Sequence, residues 1–194
     1  DENDFSTSVT NDSFPTLLVE GDATAEIESG QLHYVCDSMT GGKIWIKTDY
    51  GYTNTATAYK LYVEPTSSLP DQVSIIFFLW NRDFSGKIGT GLEGSGVGLR
   101  TVDGPAAQEF GYDEYSGTID FENAAFELII DGSEIESRLI MLDSSRILAS
   151  VSGVLTDTSY YDGHDVRLRI NGTGTVFVDN LRIYTREPTA AAGG

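Results

Sequence analysis

The chain has one cysteine in 194 residues, Cys36, so no disulfide can form within it. Its two histidines, His33 and His164, are far apart, and no Cys/His spacing suited to zinc exists. Runs of the helix formers Ala, Leu, Glu and Lys are nearly absent. No apolar run is long enough for a membrane-spanning helix. Positive charge is scarce: Lys and Arg number 12 against 30 Asp and Glu, a formal net charge of −18. Phosphate backbones and anionic lipid surfaces are held by clustered Lys and Arg, so nucleic acid and membrane are poor partners. A start at Asp1, with no leader ahead of it, reads as a processed or trimmed product.

What is abundant is glycine, at 21 residues, together with Thr, Ser and Tyr. Strand formers divided by frequent turns indicate an all-β, two-sheet antiparallel sandwich with little helix. About twelve strands are expected from the period-two patterns. They are Thr16–Glu20, Thr24–Glu28, Gln31–Cys36, Lys43–Thr48, Ala56–Val63 and Val73–Trp80. Val97–Val102, Phe126–Ile130, Arg138–Leu142, Ile147–Val154, Val166–Ile170 and Thr175–Tyr184 complete them. Val73-Ser-Ile-Ile-Phe-Phe-Leu-Trp80 is the most apolar run and reads as a central strand buried on both faces. Residues 81–125 are rich in glycine and read as long loops over one face. Leu32, Tyr34 and Cys36 share a parity that marks them as core, with the thiol acting as a small hydrophobe.

The end of the chain carries the clearest pattern. Val166, Leu168 and Ile170 alternate with Arg167 and Arg169, giving one apolar face and one cationic face. Asn171-Gly-Thr-Gly174 then lets the chain reverse into a final strand. That strand has a parity break: Val176 and Val178 share one parity, Leu181 and Ile183 the other. Either it bulges near Asp179-Asn180, or Asp179 points inward and needs a cation or donors.

Three segments carry a resemblance. They are Ala25-Glu-Ile-Glu-Ser-Gly-Gln-Leu-His-Tyr34, His164-Asp-Val-Arg-Leu-Arg-Ile-Asn-Gly-Thr173 and Val176-Phe-Val-Asp-Asn-Leu-Arg-Ile-Tyr184. They resemble the opening hairpin and closing strands of the concanavalin A-like jelly rolls, among them laminin-G-like domains, legume-type lectins and carbohydrate-binding modules. The resemblance covers the two ends and leaves the middle unmatched. It implies one jelly-roll domain over residues 17–187. Residues 1–16 would be a polar extension or edge strand, and 188–194 a tail or linker. It also implies a structural calcium ion, for which Glu20, Asp22 and Asp179 offer hard oxygen ligands.

Sugar sites pair an aromatic platform with polar groups that meet the hydroxyls. Trp80-Asn81-Arg82-Asp83, Tyr112 with Tyr115, and Tyr160 with Tyr161 have that composition. Thr118-Ile-Asp-Phe-Glu122 resembles the catalytic strand of laminarinase-type hydrolases, but threonine stands where the nucleophile belongs. Gly89-Thr-Gly-Leu-Glu-Gly94 spells a dinucleotide string without the strand and helix it requires, and reads as a flexible loop. The expectation is a non-catalytic jelly roll that binds a glycan or polysaccharide outside the cell or at its surface. The sequons at Asn11 and Asn171 lean the same way. A second reading is a self-associating subunit of a surface layer or filament, joined through its terminal segments. A third is a polysaccharide-cleaving enzyme.

Overall fold

The computed structural model describes residues 7–10, 17–47, 58–81, 86–102, 107–115, 119–156 and 163–186. Among them are fifteen strands and one 3-10 turn, Phe121–Asn123. The strands are β1 Thr7–Thr10, β2 Leu17–Gly21, β3 Thr24–Glu28, β4 Gln31–Cys36, β5 Gly42–Lys47 and β6 Ala58–Pro65. Next come β7 Val73–Asn81, β8 Lys87–Glu93, β9 Gly96–Val102, β10 Glu109–Glu114 and β11 Ala124–Asp131. The last are β12 Glu134–Met141, β13 Ile147–Val154, β14 Gly163–Gly172 and β15 Gly174–Arg186. One antiparallel sheet runs β13-β12-β11-β6-β15-β4-β3, with β1 also paired to β15 as an eighth strand. The other runs β10-β9-β8-β7-β14-β5-β2.

Away from the bulges, the strands face the other sheet on alternate residues. Leu32, Tyr34 and Cys36 on β4 are buried, as their parity requires. Val73, Ile75, Phe77 and Leu79 on β7 are buried in the core, and the Phe77 ring stacks on that of Phe126 on β11 at 5.4 Å. Burying these side chains contributes about 1.5–3 kcal/mol each before the entropy of ordering is set against it. Thr90 and Ser137 are buried polar exceptions, and their hydroxyls hydrogen-bond across the sandwich.

Three sequence expectations need correction. Residues 81–125 are not loops around the one expected strand at Val97–Val102, because β8 and β10 lie there beside β9. Alternate glycines hide β8 by lowering its strand propensity, yet Ile88, Thr90 and Leu92 still point inward. Gly89 and Gly91 are strand residues, not parts of a flexible loop. Second, β7 is central, but its odd-numbered face alone is wholly core; on the other face Phe78 is buried while Ser74, Ile76 and Trp80 are half-exposed. Third, β14 and β15 do not form a hairpin, because they lie in opposite sheets. The turn between them is a corner. Gly172 has φ +117°, and a Cβ there would sit 1.7 Å from the Gln72 carbonyl oxygen.

The structure also settles the parity break, in favour of the bulge. Asn180 has φ +50°, and the pairing with β6 shifts between Asp179 and Arg182, so two residues of β15 oppose one of β6. The bulge brings Val176, Val178, Leu181 and Ile183 all inward. Asp179 stays half-exposed, and its Oδ1 accepts the Asn180 N–H at 2.7 Å. No inward carboxylate exists at this position.

Three tyrosines lock the framework in their neutral form. The Tyr34 hydroxyl lies 2.7 Å from the Gly42 carbonyl and 2.6 Å from that of Gly172, donating to one at a time. Tyr62 donates to Glu64, and Tyr115 donates to the Glu93 carbonyl at 2.6 Å. Burial, first among the causes, pushes all three phenols above their ordinary range. A raised folded-state value favours folding while the phenol is protonated. This stabilisation is therefore complete below about pH 10 and lost as pH climbs beyond it. The melting midpoint is expected to fall in step with the appearance of tyrosinate absorbance. A midpoint flat through that transition would rule the three phenols out.

Candidate functional site

The outer face of the seven-stranded sheet is unlike an ordinary solvated face. Antiparallel register sets its side chains in rows across the strands. One row runs Leu18, Trp45, Arg169, Ile76, Gly91, Gly98 and Tyr112. The next holds Arg167, Phe78, Gly89, Arg100 and Glu109. A third places Lys87 opposite Trp80. The face is thus built from aromatics, glycines and cations.

Its centre is a ridge. The Trp45 and Phe78 rings lie 5.6 Å apart, and the Arg169 guanidinium sits over both, at 5.2 and 5.0 Å. Trp80 extends the ridge, with the Lys87 ammonium 4.0 Å from its ring centre and Arg167 at 5.8 Å. These are cation–π distances, and they hold the charged heads on the sheet instead of out in solvent.

A depression flanks the ridge on each side. Toward β10 lies a groove of about 180 Å³. Gly89, Gly91, Gly98 and Gly111 form its floor, Ile76 and Phe78 one wall, and Tyr112 the other, with Arg100 and Glu109 at its end. The floor is low because Gly91 and Gly98 carry no side chain on the outer face; the Phe78 ring covers Gly89, and a Cβ on Gly111 would point inward toward Val151. Tyr112 is 44% exposed, lies against Gly96 and Gly98, and is fixed by Ser95 at 2.8 Å from its hydroxyl. Toward β2 lies a wider polar depression of about 480 Å³, lined by Glu20, Thr40, Lys43, Arg169 and Asn171 among others. Glu20 bridges Lys43 at 2.8 Å and accepts the Trp45 indole N–H at 3.0 Å. The Lys43 hydrogen bond holds Glu20 below the usual carboxylate range, against a smaller desolvation penalty.

The residues expected from the sequence divide three ways. Trp80 and Tyr112 come together on this face. Tyr115 turns away, half-buried, with its ring edge-on to Phe121 at 6.0 Å. Asn81 ends β7 opposite Gly163, with its side chain outside the described residues. Arg82, Asp83, Tyr160 and Tyr161 also lie outside them. Trp45, Phe78, Arg100 and Arg169 carry the site and are not among the residues that sequence reasoning picks out. Trp45 has a signal, since it alternates with buried Ile44 and Ile46 and must face outward.

The calcium ligands do not assemble. Glu20 is occupied by Lys43 and Trp45, and Asp22 accepts from Thr40 at 3.0 Å. Asp179 stands on the other sheet, opposite Glu64. Among the described residues, one group of three His or carboxylate side chains has ligand atoms within 4.8 Å of one another: Glu26, Glu28 and His33. It is mostly exposed, and imidazole is a poor ligand for calcium. The hydrolase motif also loses its geometry. Asp120 and Glu122 flank buried Phe121 in a 3-10 turn leading into β11, instead of alternating along a strand.

Solved structures share this architecture. Lectin II from Ulex europaeus superposes with a TM-score of 0.59 at 10% identity, over 95% of this chain and 99% of that one. The shared fold is a two-sheet antiparallel jelly roll. The CBM2 module of the Lactobacillus casei BL23 phage J-1 evolved Dit gives a TM-score of 0.60 at 10% identity, covering 96% and 95% of the two chains. Arcelin-5, a lectin-like defense protein from Phaseolus vulgaris, gives 0.56 at 12% identity, covering 94% and 99%. No protein-family model matches the sequence, and no curated protein does. These jelly-roll neighbours are lectins, a lectin-like protein and a carbohydrate-binding module.

Proposed function

We propose that this jelly roll is a non-catalytic carbohydrate-binding domain, acting at or outside the cell surface, and that it holds a polysaccharide on the outer face of its seven-stranded sheet. The observation that carries the reading is the glycine-floored groove beside the Trp45–Phe78–Trp80 ridge. A sugar ring presents an apolar C–H face and a rim of hydroxyls. Phe78, Ile76 and Tyr112 suit the first, and Arg100 and Glu109 suit the second. The two depressions centre near β5 and β9, four strand spacings or about 19 Å apart. A monosaccharide cannot reach both, so the fitting ligand is a chain.

Both tryptophans of the protein, Trp45 and Trp80, stand on this face, so intrinsic fluorescence reports on it directly. Titration with neutral and acidic polysaccharides is expected to shift tryptophan emission and protect it from acrylamide quenching. Affinity electrophoresis should show retardation by the same polymers. If no polysaccharide alters either readout, the proposal fails.

A further inference from the structure

We infer that the polysaccharide is acidic, with a uronate carboxylate seated between Arg100 and Arg169. This rests on the carbohydrate-binding reading and gives it a substrate class. The chain has 12 Lys and Arg in all, and five of them, Lys43, Lys87, Arg100, Arg167 and Arg169, sit on this one face. They do so in a chain of net charge −18, so the concentration is local and runs against the whole. Acidic side chains of the face stand toward its borders: Glu20 on edge strand β2, Glu109 and Glu114 on edge strand β10, and Glu93 at the end of β8.

Lys43 is committed to Glu20, and Lys87 and Arg167 lie over Trp80. Arg100 and Arg169 differ. Among the described residues neither is in an ion pair. Arg169 Nε is buried without a hydrogen-bond partner there. Arg169 reaches over Phe78, which is a wall of the groove that Arg100 closes. Phe78 on β7 thus stands between β14, whose Arg169 lines the β2-side depression, and β9, whose Arg100 lines the β10-side groove. Burial first, and Arg100 second, make the Arg169 charge harder to hold, with only Glu20 opposing. A carboxylate placed between them relieves both effects, because guanidinium forks bind planar carboxylates with two parallel hydrogen bonds. A neutral sugar cannot do this.

The test is calorimetric titration of the full chain with polygalacturonate and with the same polymer after carboxyl reduction. Polygalacturonate is expected to bind at least about tenfold tighter, equivalent to about 1.4 kcal/mol. Arg100→Gln and Arg169→Gln should each weaken polygalacturonate far more than the reduced polymer, so that most of the preference is lost. Arg146→Gln, an exposed charge between β12 and β13, should keep it. Circular dichroism melts confirm that each variant is folded. Equal affinity for the two polymers overturns the acidic assignment while leaving carbohydrate binding intact. Binding of a sulfated polymer in place of the uronate overturns it as well. If neither polymer nor any neutral polysaccharide binds, the underlying carbohydrate reading fails with it.

Discussion

Gly91→Leu is expected to weaken polysaccharide binding by more than tenfold, a loss above about 1.4 kcal/mol, with the fold unharmed. Gly91 lies on the groove floor, opposite Ile76 on one side and Gly98 on the other. A Cβ added there would meet only Ile76 Cγ1, at 3.5 Å, an ordinary contact. The backbone can accept a side chain, and the side chain must then stand in the groove. Glycine inside a strand also costs roughly 0.5–1 kcal/mol relative to alanine, so stability should hold or rise. Melting curves and affinity electrophoresis on the same preparation separate the two effects. A variant that binds as the parent does would move the site off this groove. Gly172→Leu could not serve, because its Cβ collides with the Gln72 carbonyl and would unfold the corner instead.

The largest stability change should come from the opposite side of the sandwich. Glu127 is fully buried on the outward face of β11, an unusual place for a carboxylate. Lys60 lies 2.5 Å from its Oε1, and Arg138 donates to its Oε2 at 2.7 Å. Lys60 is in turn near the Tyr62 and Tyr184 rings, at 5.9 and 5.8 Å. Removing the carboxylate leaves two partly buried cations facing each other. Glu127→Ala is expected to cost about 3–5 kcal/mol, a large share of a typical domain stability of about 5–15 kcal/mol. At this chain length that is a fall of roughly 10 °C in Tm. Chemical denaturation measures it. Replacing Glu127, Lys60 and Arg138 together by apolar residues should recover much of the loss, since buried ion pairs add little beyond what packing supplies. A single-site cost under about 1 kcal/mol would show that the cluster is dispensable. Binding at the other face should be unchanged in every variant that stays folded.

The strands that alternate cleanly are legible in the amino-acid pattern itself. β4, β12 and β14 state their inward faces by parity alone, and the Glu28-Ser-Gly-Gln31 and Asp131-Gly-Ser turns state their hairpins. β8 and β10 are not legible in this way. Glycine carries no side chain to show a parity, and an acidic edge strand with a bulge has no apolar face to read. The site is hidden for the same reason. Trp80 and Tyr112 can be picked as aromatics, but Trp45, Phe78 and Arg169 lie on three different strands. Only the register of β5, β14 and β7 makes them neighbours.

Sequence alone determined that this is an all-β sandwich, because period-two patterning and glycine turns are local properties of the chain. It also determined that the cations of β14 share one face, since Arg167 and Arg169 are two residues apart. Tertiary structure decided what that face can hold. Pairing across strands is a long-range choice, set by burying both sheets against each other. It placed the aromatics, the glycine floor and the arginines in adjoining rows. It also turned the final reversal into a corner between sheets, and resolved the parity break of the last strand as a bulge at Asn180.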